Sequence, residues 1–136
     1  MMNDLRGNFF MKGKTIQTDK APAAIGPYSQ GIKLGSLLFV SGQIGMHPET
    51  GELVSPDFAP QVRQTLENLL HVVKAAGGDL DQVVAVDVYL TDMGKFAEFN
   101  GIYQEYFAEH RPARAVIAVC ALPKGASVEI KCIAGM

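Results

Sequence analysis

Apolar positions along the chain fall into short runs divided by turn residues, and their spacing assigns the elements. Val83 to Leu90 is the most β-rich stretch, with Val84, Val86, Val88 and Leu90 alternating onto one face of a strand. Two other segments repeat at three and four. From about Pro60 to Ala76, Val62, Leu66, Leu69, Leu70 and Val73 form a helical stripe. Asp57 or a neighbour can cap that helix, Pro60 suits its first turn, and Gly77-Gly78 stops it. Arg63 and His71 lie off the stripe and are expected in solvent. A second helix, roughly Met93 to Ala108, is capped by Thr91-Asp92 and carries Phe96, Phe99, Tyr103 and Phe107. Asn100 falls inside this second stripe, where a carboxamide must find a hydrogen bond, either with a neighbouring loop or with a substrate or the active-site strand.

The first third of the chain reads as strands. Lys12 to Thr18 is a modest edge strand of mixed polarity. Ala21 to Gln30 is a loop whose path is set by Pro22, Gly26 and Pro27, and Tyr28 is the one large residue it positions. That ring serves either as a cover over the core edge or as the wall of a pocket. Gly31–Leu34 and Leu37–Ile44 flank Gly35-Ser36, a two-residue hairpin turn with glycine first. Strict alternation puts Leu38, Val40, Gly42 and Ile44 on one face and Leu37, Phe39, Ser41 and Gln43 on the other. Gly42 within the run signals a bulge, the close approach of another backbone or a ligand, or simply the end of the strand.

Pro112 to Ile133 carries the sharpest chemical signal. Apart from Arg114, Ala113 to Leu122 is uncharged and reads as a strand buried on both faces. Leu122 to Ser127 supplies a turn and Val128 to Ile133 a second strand, so the pair predicts a hairpin. Arg114 and Glu129 interrupt these apolar runs, and an unpaired buried charge is costly. A turn centred between Lys124 and Gly125 sets Glu129 opposite Cys120 and Arg114 opposite Gly135, separating the two charges by about 20 Å. The partner of Arg114 is therefore another residue, a ligand or a second subunit.

Composition narrows the possibilities. The chain has 136 residues, 48% hydrophobic and 19% charged, enough for one domain with an apolar surplus that favours oligomers. Net charge −2 and a pI near 5.9 leave no footprint for nucleic acid or an anionic membrane. No run approaches the roughly 18 apolar residues of a membrane span, and the start lacks a signal-peptide pattern. Residues 1–11 read as a flexible extension ahead of a single domain over 12–136. Cys120 and Cys132, about three residues out of register in the predicted hairpin, read as buried free thiols of a reducing cytoplasm. His47, His71 and His110 are scattered, with no metal-ligand spacing. The order β-β-β-α-β-α-β-β predicts an α+β fold in which two helices cover one sheet face and other subunits cover the second.

Several stretches together resemble the Rid family of reactive-intermediate deaminases (YjgF-type, RidA subgroup): APAAIGPYSQ at 21–30, FVSGQIG at 39–45, FN at 99–100, RPAR at 111–114, and Leu122-Pro123 followed by Val128-Glu129-Ile130. The resemblance covers Lys12 to Met136. It implies a chorismate-mutase-like fold, a homotrimer around a central barrel, and clefts between subunits in the cytoplasm. It implies cofactor-independent hydrolysis of 2-iminobutanoate, 2-iminopropanoate and 2-aminoacrylate to 2-oxo acids and ammonia, with no metal. By motif position, Arg114 would hold the carboxylate and Glu129 would act on the attacking water. Tyr28, Ser41, Gly42 and Asn100 would line or organise the pocket. The residue two after the arginine, often Cys in the family, is Val116, whose backbone N–H would serve. Cys120 is a second departure, with no functional account.

Three other functions are weighed against this one. A non-catalytic 2-oxo acid sensor could use Arg114 but has no need of Glu129. RNA cleavage or translation inhibition lacks a basic stripe or paired histidines. Chorismate mutation would need several cations around a dianion, and only Arg114 is evident.

Overall fold

The computed structural model describes residues 12–136; the expected extension at 1–11 lies outside them. Six strands and two helices follow the order read from the sequence: β1 (Lys14–Ile16), β2 (Gly31–Leu34), β3 (Leu37–Gln43), α1 (Phe58–Ala75), β4 (Val83–Leu90), α2 (Phe96–Tyr106), β5 (Ala113–Ala118) and β6 (Val128–Gly135). The strands form one mixed sheet in the order β1-β2-β3-β6-β4-β5. All pairs are antiparallel except β4 with β5.

Local chemistry explains the boundaries. Gly35, at φ 60°, takes the left-handed conformation that the tight β2–β3 turn requires. Asp57 occupies the N-cap of α1 without a side-chain bond of its own, while its N–H donates to Ser55 Oγ at 3.0 Å. At the other end, Gly77 (φ 95°) and Gly78 donate to Lys74 O and Val73 O, a Schellman stop. Asp92 Oδ1 accepts from Gly94 N at 2.8 Å and starts a 3₁₀ turn, Met93–Lys95, that leads into α2.

Both helices lie on one face of the sheet. Leu38, Val40, Val86, Val88, Leu90, Val128, Ile130 and Cys132 meet Val62, Leu66, Leu69 and Val73 of α1 and Phe99, Tyr103 and the following Phe107 in one core. The other face is open: Leu37, Phe39, Val84 and Ile117 are all exposed, the last two at 49%.

Five expectations require correction. β5 and β6 do not form a hairpin, because β4 lies between them and pairs with both. The connection of β5 to β6 therefore skips a strand, which no local turn signal reveals. For the same reason β5 is not buried on both faces; it is the sheet edge and most of it is exposed. Strict alternation also fails where strands bulge. In β3 a register shift between Val40 and Gln43 turns Gln43 to the helix side opposite Ile130, and in β4 a shift between Val83 and Ala85 sends Val84 to the open face. Of the two free thiols only Cys132 is buried; Cys120 lies beyond the end of β5 and is exposed. Off the α1 stripe, His71 is half-buried, and Arg63 is exposed but paired with Glu105 of α2 at 2.7 Å.

Candidate active site

Glu129 sits at the second position of β6, paired with Tyr89 on the open face. Its strand is fixed at the start by Gln61, whose Oε1 accepts the Ser127 N–H at 2.8 Å. Gly42 of the β3 bulge lies directly across from it. A Cβ on Gly42 would come within 2.8 Å of Glu129 Cδ, so the missing side chain is what makes room for the carboxylate. Partial burial raises the Glu129 pKa above the ordinary carboxylate range, opposed by the nearby Lys131.

The loop before β2 supplies the opposite wall. Gln30 staples it: the buried carboxamide donates to Pro22 O at 2.7 Å and Thr18 O at 3.1 Å, and accepts from Thr18 N at 2.7 Å. Ser41 adds two bonds, from Oγ to Ser29 O at 2.5 Å and from N to Gln30 O at 2.9 Å. Ser41 thus organises the site without lining it. Tyr28, half exposed, closes a cavity of about 360 Å³ together with Pro22, Ile25, Gly42, Met46 and Glu129. Met46 is held from below by Asn68, a buried α1 carboxamide that donates to Ile44 O and Met46 O at 3.1 and 3.0 Å. Lys124, the one described non-glycine residue with positive φ (59°), reaches Gly51 O at 3.0 Å and ties the rim of this cavity to the preceding loop.

Arg114 belongs to a second cluster. It pairs with Val86 on the helix face, and its guanidinium lies 4.7 Å from the Tyr103 ring centroid, with Phe96 and Phe99 at 5.8 and 5.9 Å. These rings form a ledge that attracts the cation through their negative faces. Among the described residues no carboxylate lies within 4.0 Å of the guanidinium. Asn100 Oδ1 and the Tyr103 hydroxyl are both buried without a hydrogen-bond partner among the described residues. Burial pushes the Tyr103 phenol up to about 12, against the opposing pull of Arg114. Asn100, Tyr103, Gln104, Arg111, Pro112 and Arg114 line a cavity of about 300 Å³. Val116 pairs with Val88 and packs its side chain on the core, while β5 as an edge strand leaves alternate backbone N–H groups without a sheet partner.

The two clusters do not meet. At the level of Arg114 the β6 residue is Cys132, three residues or about 10 Å from Glu129 along the strand, with β4 in between. More decisively, Arg114 projects toward the helices and Glu129 toward the open face. Their cavities share no lining residue. One chain therefore holds a cationic cluster, with Arg114 and Asn100, and a separate acidic cluster, with Tyr28, Gly42 and Glu129.

Gln30, Gln61, Asn68 and Tyr103 were not singled out from the sequence as site-forming residues. Gln61 and Asn68 bear the same signal that marked Asn100, a carboxamide within an apolar helical stripe. Tyr103 was recognisable only as core. Among the described residues no three His, Cys, Asp or Glu side chains gather as metal ligands, and no helix is long and apolar enough to cross a membrane.

Comparison with known proteins gives the relatives of this chain. The family model described as Endoribonuclease L-PSP matches residues 18–136. A RutC family protein of Pyrococcus horikoshii is 50% identical over 121 residues, covering 89% of this chain and 96% of that protein. The 2-iminobutanoate/2-iminopropanoate deaminase of Mus musculus is 47% identical over 121 residues, covering 89% and 90%. The crystal structure of E. coli TdcF with bound serine superposes with a TM-score of 0.86 at 43% identity, covering 90% and 98% of the two chains. With this match over nearly its whole described length, and with the six-stranded mixed sheet and two helices of its structural neighbours, the chain belongs to the YjgF/Rid family.

Proposed function

We propose that this chain is a cofactor-independent 2-imino acid deaminase whose active sites form between the subunits of a homotrimer, Arg114 coming from one protomer and Glu129 from the next. The observation that carries the reading is the split of the two half-sites onto opposite faces of one sheet. A second copy docking on the apolar open face brings the acidic half of one protomer to the cationic half of another. Leu37, Phe39, Val84 and Ile117 are the surface such docking would bury. The name of the mouse relative supports the reaction.

The chemistry follows from the groups present. A 2-imino acid, R–C(=NH)–COO⁻, takes up one water and yields R–CO–COO⁻ and NH₃. Arg114, held on its ring ledge, grips the carboxylate through two parallel N–H···O bonds, a geometry that lysine cannot reproduce. The Val116 backbone N–H adds a donor beside it. Asn100 Oδ1, a buried acceptor without a partner, receives the imine N–H. Glu129 takes a proton from water as it attacks C2 and returns it to the departing nitrogen. A carboxylate with a raised pKa is better suited to this two-way transfer than an ordinary one. Tyr28 covers the cleft, and Gly42 and Ser41 hold Glu129 and the Tyr28 loop in place. 2-Aminoacrylate and its imine, released by pyridoxal-phosphate dehydratases in the cytoplasm, are the substrates; nucleic acid and membranes are not partners.

The test is the decay of 2-aminoacrylate, generated in situ by a serine dehydratase, with wild type and Arg114→Ala compared. Acceleration by wild type alone, with the variant still folded, supports the deaminase. Wild type without effect on the decay refutes it and leaves a 2-oxo acid sensor that uses Arg114 without turnover.

A further inference from the structure

We infer that the Arg114 cavity is built for a 2-imino dicarboxylate, with Arg111 receiving the second carboxylate; this rests on the deaminase reading and names the substrate class of the same site. Arg111 lies three residues before Arg114 on the segment leading into β5, and both line the cavity of about 300 Å³. No acidic residue lines it. Neither arginine takes part in an ion pair among the described residues, whereas Arg63, the third described arginine, pairs with Glu105 at 2.7 Å. The chain as a whole is negative, at −2, so two uncompensated guanidiniums in one small cavity are a local departure from its charge balance. A monocarboxylate answers only one of them.

The remaining walls fit the same ligand. Pro112 stands between Arg111 and the strand and fixes φ there, which limits how far Arg111 can drift from the cavity. Gln104 offers a further amide on the same rim. Asn100 Oδ1 provides an acceptor for the imine N–H, so the three polar points of an imino dicarboxylate each meet a matching group. The balanced step is ⁻OOC–(CH₂)n–C(=NH)–COO⁻ + H₂O → ⁻OOC–(CH₂)n–CO–COO⁻ + NH₃, which needs no oxidant. Such imines arise when an acidic α-amino acid loses two electrons and two protons across its Cα–N bond, so an amino-acid oxidase or dehydrogenase reaction is the class that supplies them.

The experiment compares kcat/KM for 2-iminosuccinate, made in situ by an aspartate oxidase, with kcat/KM for 2-aminoacrylate. The ratio is measured in wild type, Arg111→Gln and Arg111→Lys. Arg111 is exposed, so these variants are expected to fold. Wild type should favour the dicarboxylate; Arg111→Gln should lower the ratio about tenfold, the size of a charge-assisted hydrogen bond, and Arg111→Lys should recover part of it. A ratio that does not move on Arg111→Gln, with 2-aminoacrylate still hydrolysed, overturns the inference and leaves the deaminase reading intact. If 2-aminoacrylate is not hydrolysed at all, the deaminase reading fails. Calorimetric binding of 2-oxoglutarate against 2-oxobutanoate then decides: preference for the diacid lost in Arg111→Gln supports the role of Arg111, and equal binding refutes it.

Discussion

A site shared between protomers makes a quantitative prediction about mixed oligomers. Take Arg114→Ala, which removes the carboxylate grip, and Glu129→Gln, which keeps size but loses the base. Two charge-assisted bonds to a carboxylate are worth about 1.5–3 kcal/mol each, so Arg114→Ala alone should lower kcat/KM roughly 10²- to 10⁴-fold. Now let the two inactive proteins assemble together. In the proposed trimer each site takes its arginine from one protomer and its glutamate from a neighbour. In a random one-to-one mixture about half the protomers supply an intact arginine and about half an intact glutamate, so about one quarter of sites are whole in a closed ring. Co-expression with two affinity tags, tandem purification and sedimentation to establish trimers provide the material, and 2-aminoacrylate decay is the assay. Tandem purification keeps only the mixed trimers, each with one whole site in three, so recovery toward about one third of wild-type activity is expected. Mixed trimers no more active than their parents would refute the argument from opposite sheet faces, because both residues would then act within one chain.

Three further outcomes are expected. Gly42→Ala places a Cβ against the flexible end of Glu129, at a backbone position without positive φ, so it should fold with a small change in Tm while kcat falls at least tenfold; wild-type turnover would refute the close-approach argument. Burial raises the Glu129 pKa, so the folded state holds its proton more tightly than the unfolded chain, and stability is lost as pH rises through that raised value. Thermal melts should show Glu129→Gln gaining on wild type between the ordinary carboxylate range and neutrality, and the acid limb of kcat/KM should lie above that range; curves that stay parallel would contradict the shift. Tyr103→Leu removes the ring ledge under Arg114, worth about 1 kcal/mol, and should raise KM several-fold with less effect on kcat; Tyr103→Phe, which keeps the ring, should stay near wild type.

Much of this molecule is legible along the chain because its elements are fixed by local chemistry. The helical stripes around Leu66 and Phe99, the Schellman stop at Gly77-Gly78, the Gly35 turn and the β-rich run at Val83–Leu90 each depend on residues within a few positions of one another. The candidate residues were also nameable, since Arg114, Glu129 and Asn100 are polar groups set in apolar runs, and such placement needs a reason beyond solubility. What tertiary structure alone decided is which strands pair and which way each side chain points. Inserting β4 between β5 and β6 is a long-range choice without a local signal, and it replaced the predicted hairpin. The bulges at Gly42 and Val84 reverse the side-chain alternation by one residue, which a period-two reading cannot anticipate. Those same events set the relative placement of Arg114 and Glu129 within the chain. Pairing of Arg114 with Val86 and of Glu129 with Tyr89 puts the cation at the exposed edge of the helix face, beside the α2 rings, and the acid on the open face. The sequence supplied the chemical groups, because composition and local spacing carry them; the sheet decided that Arg114 and Glu129 stand on opposite faces of one chain, because strand order and facing are properties of the folded whole.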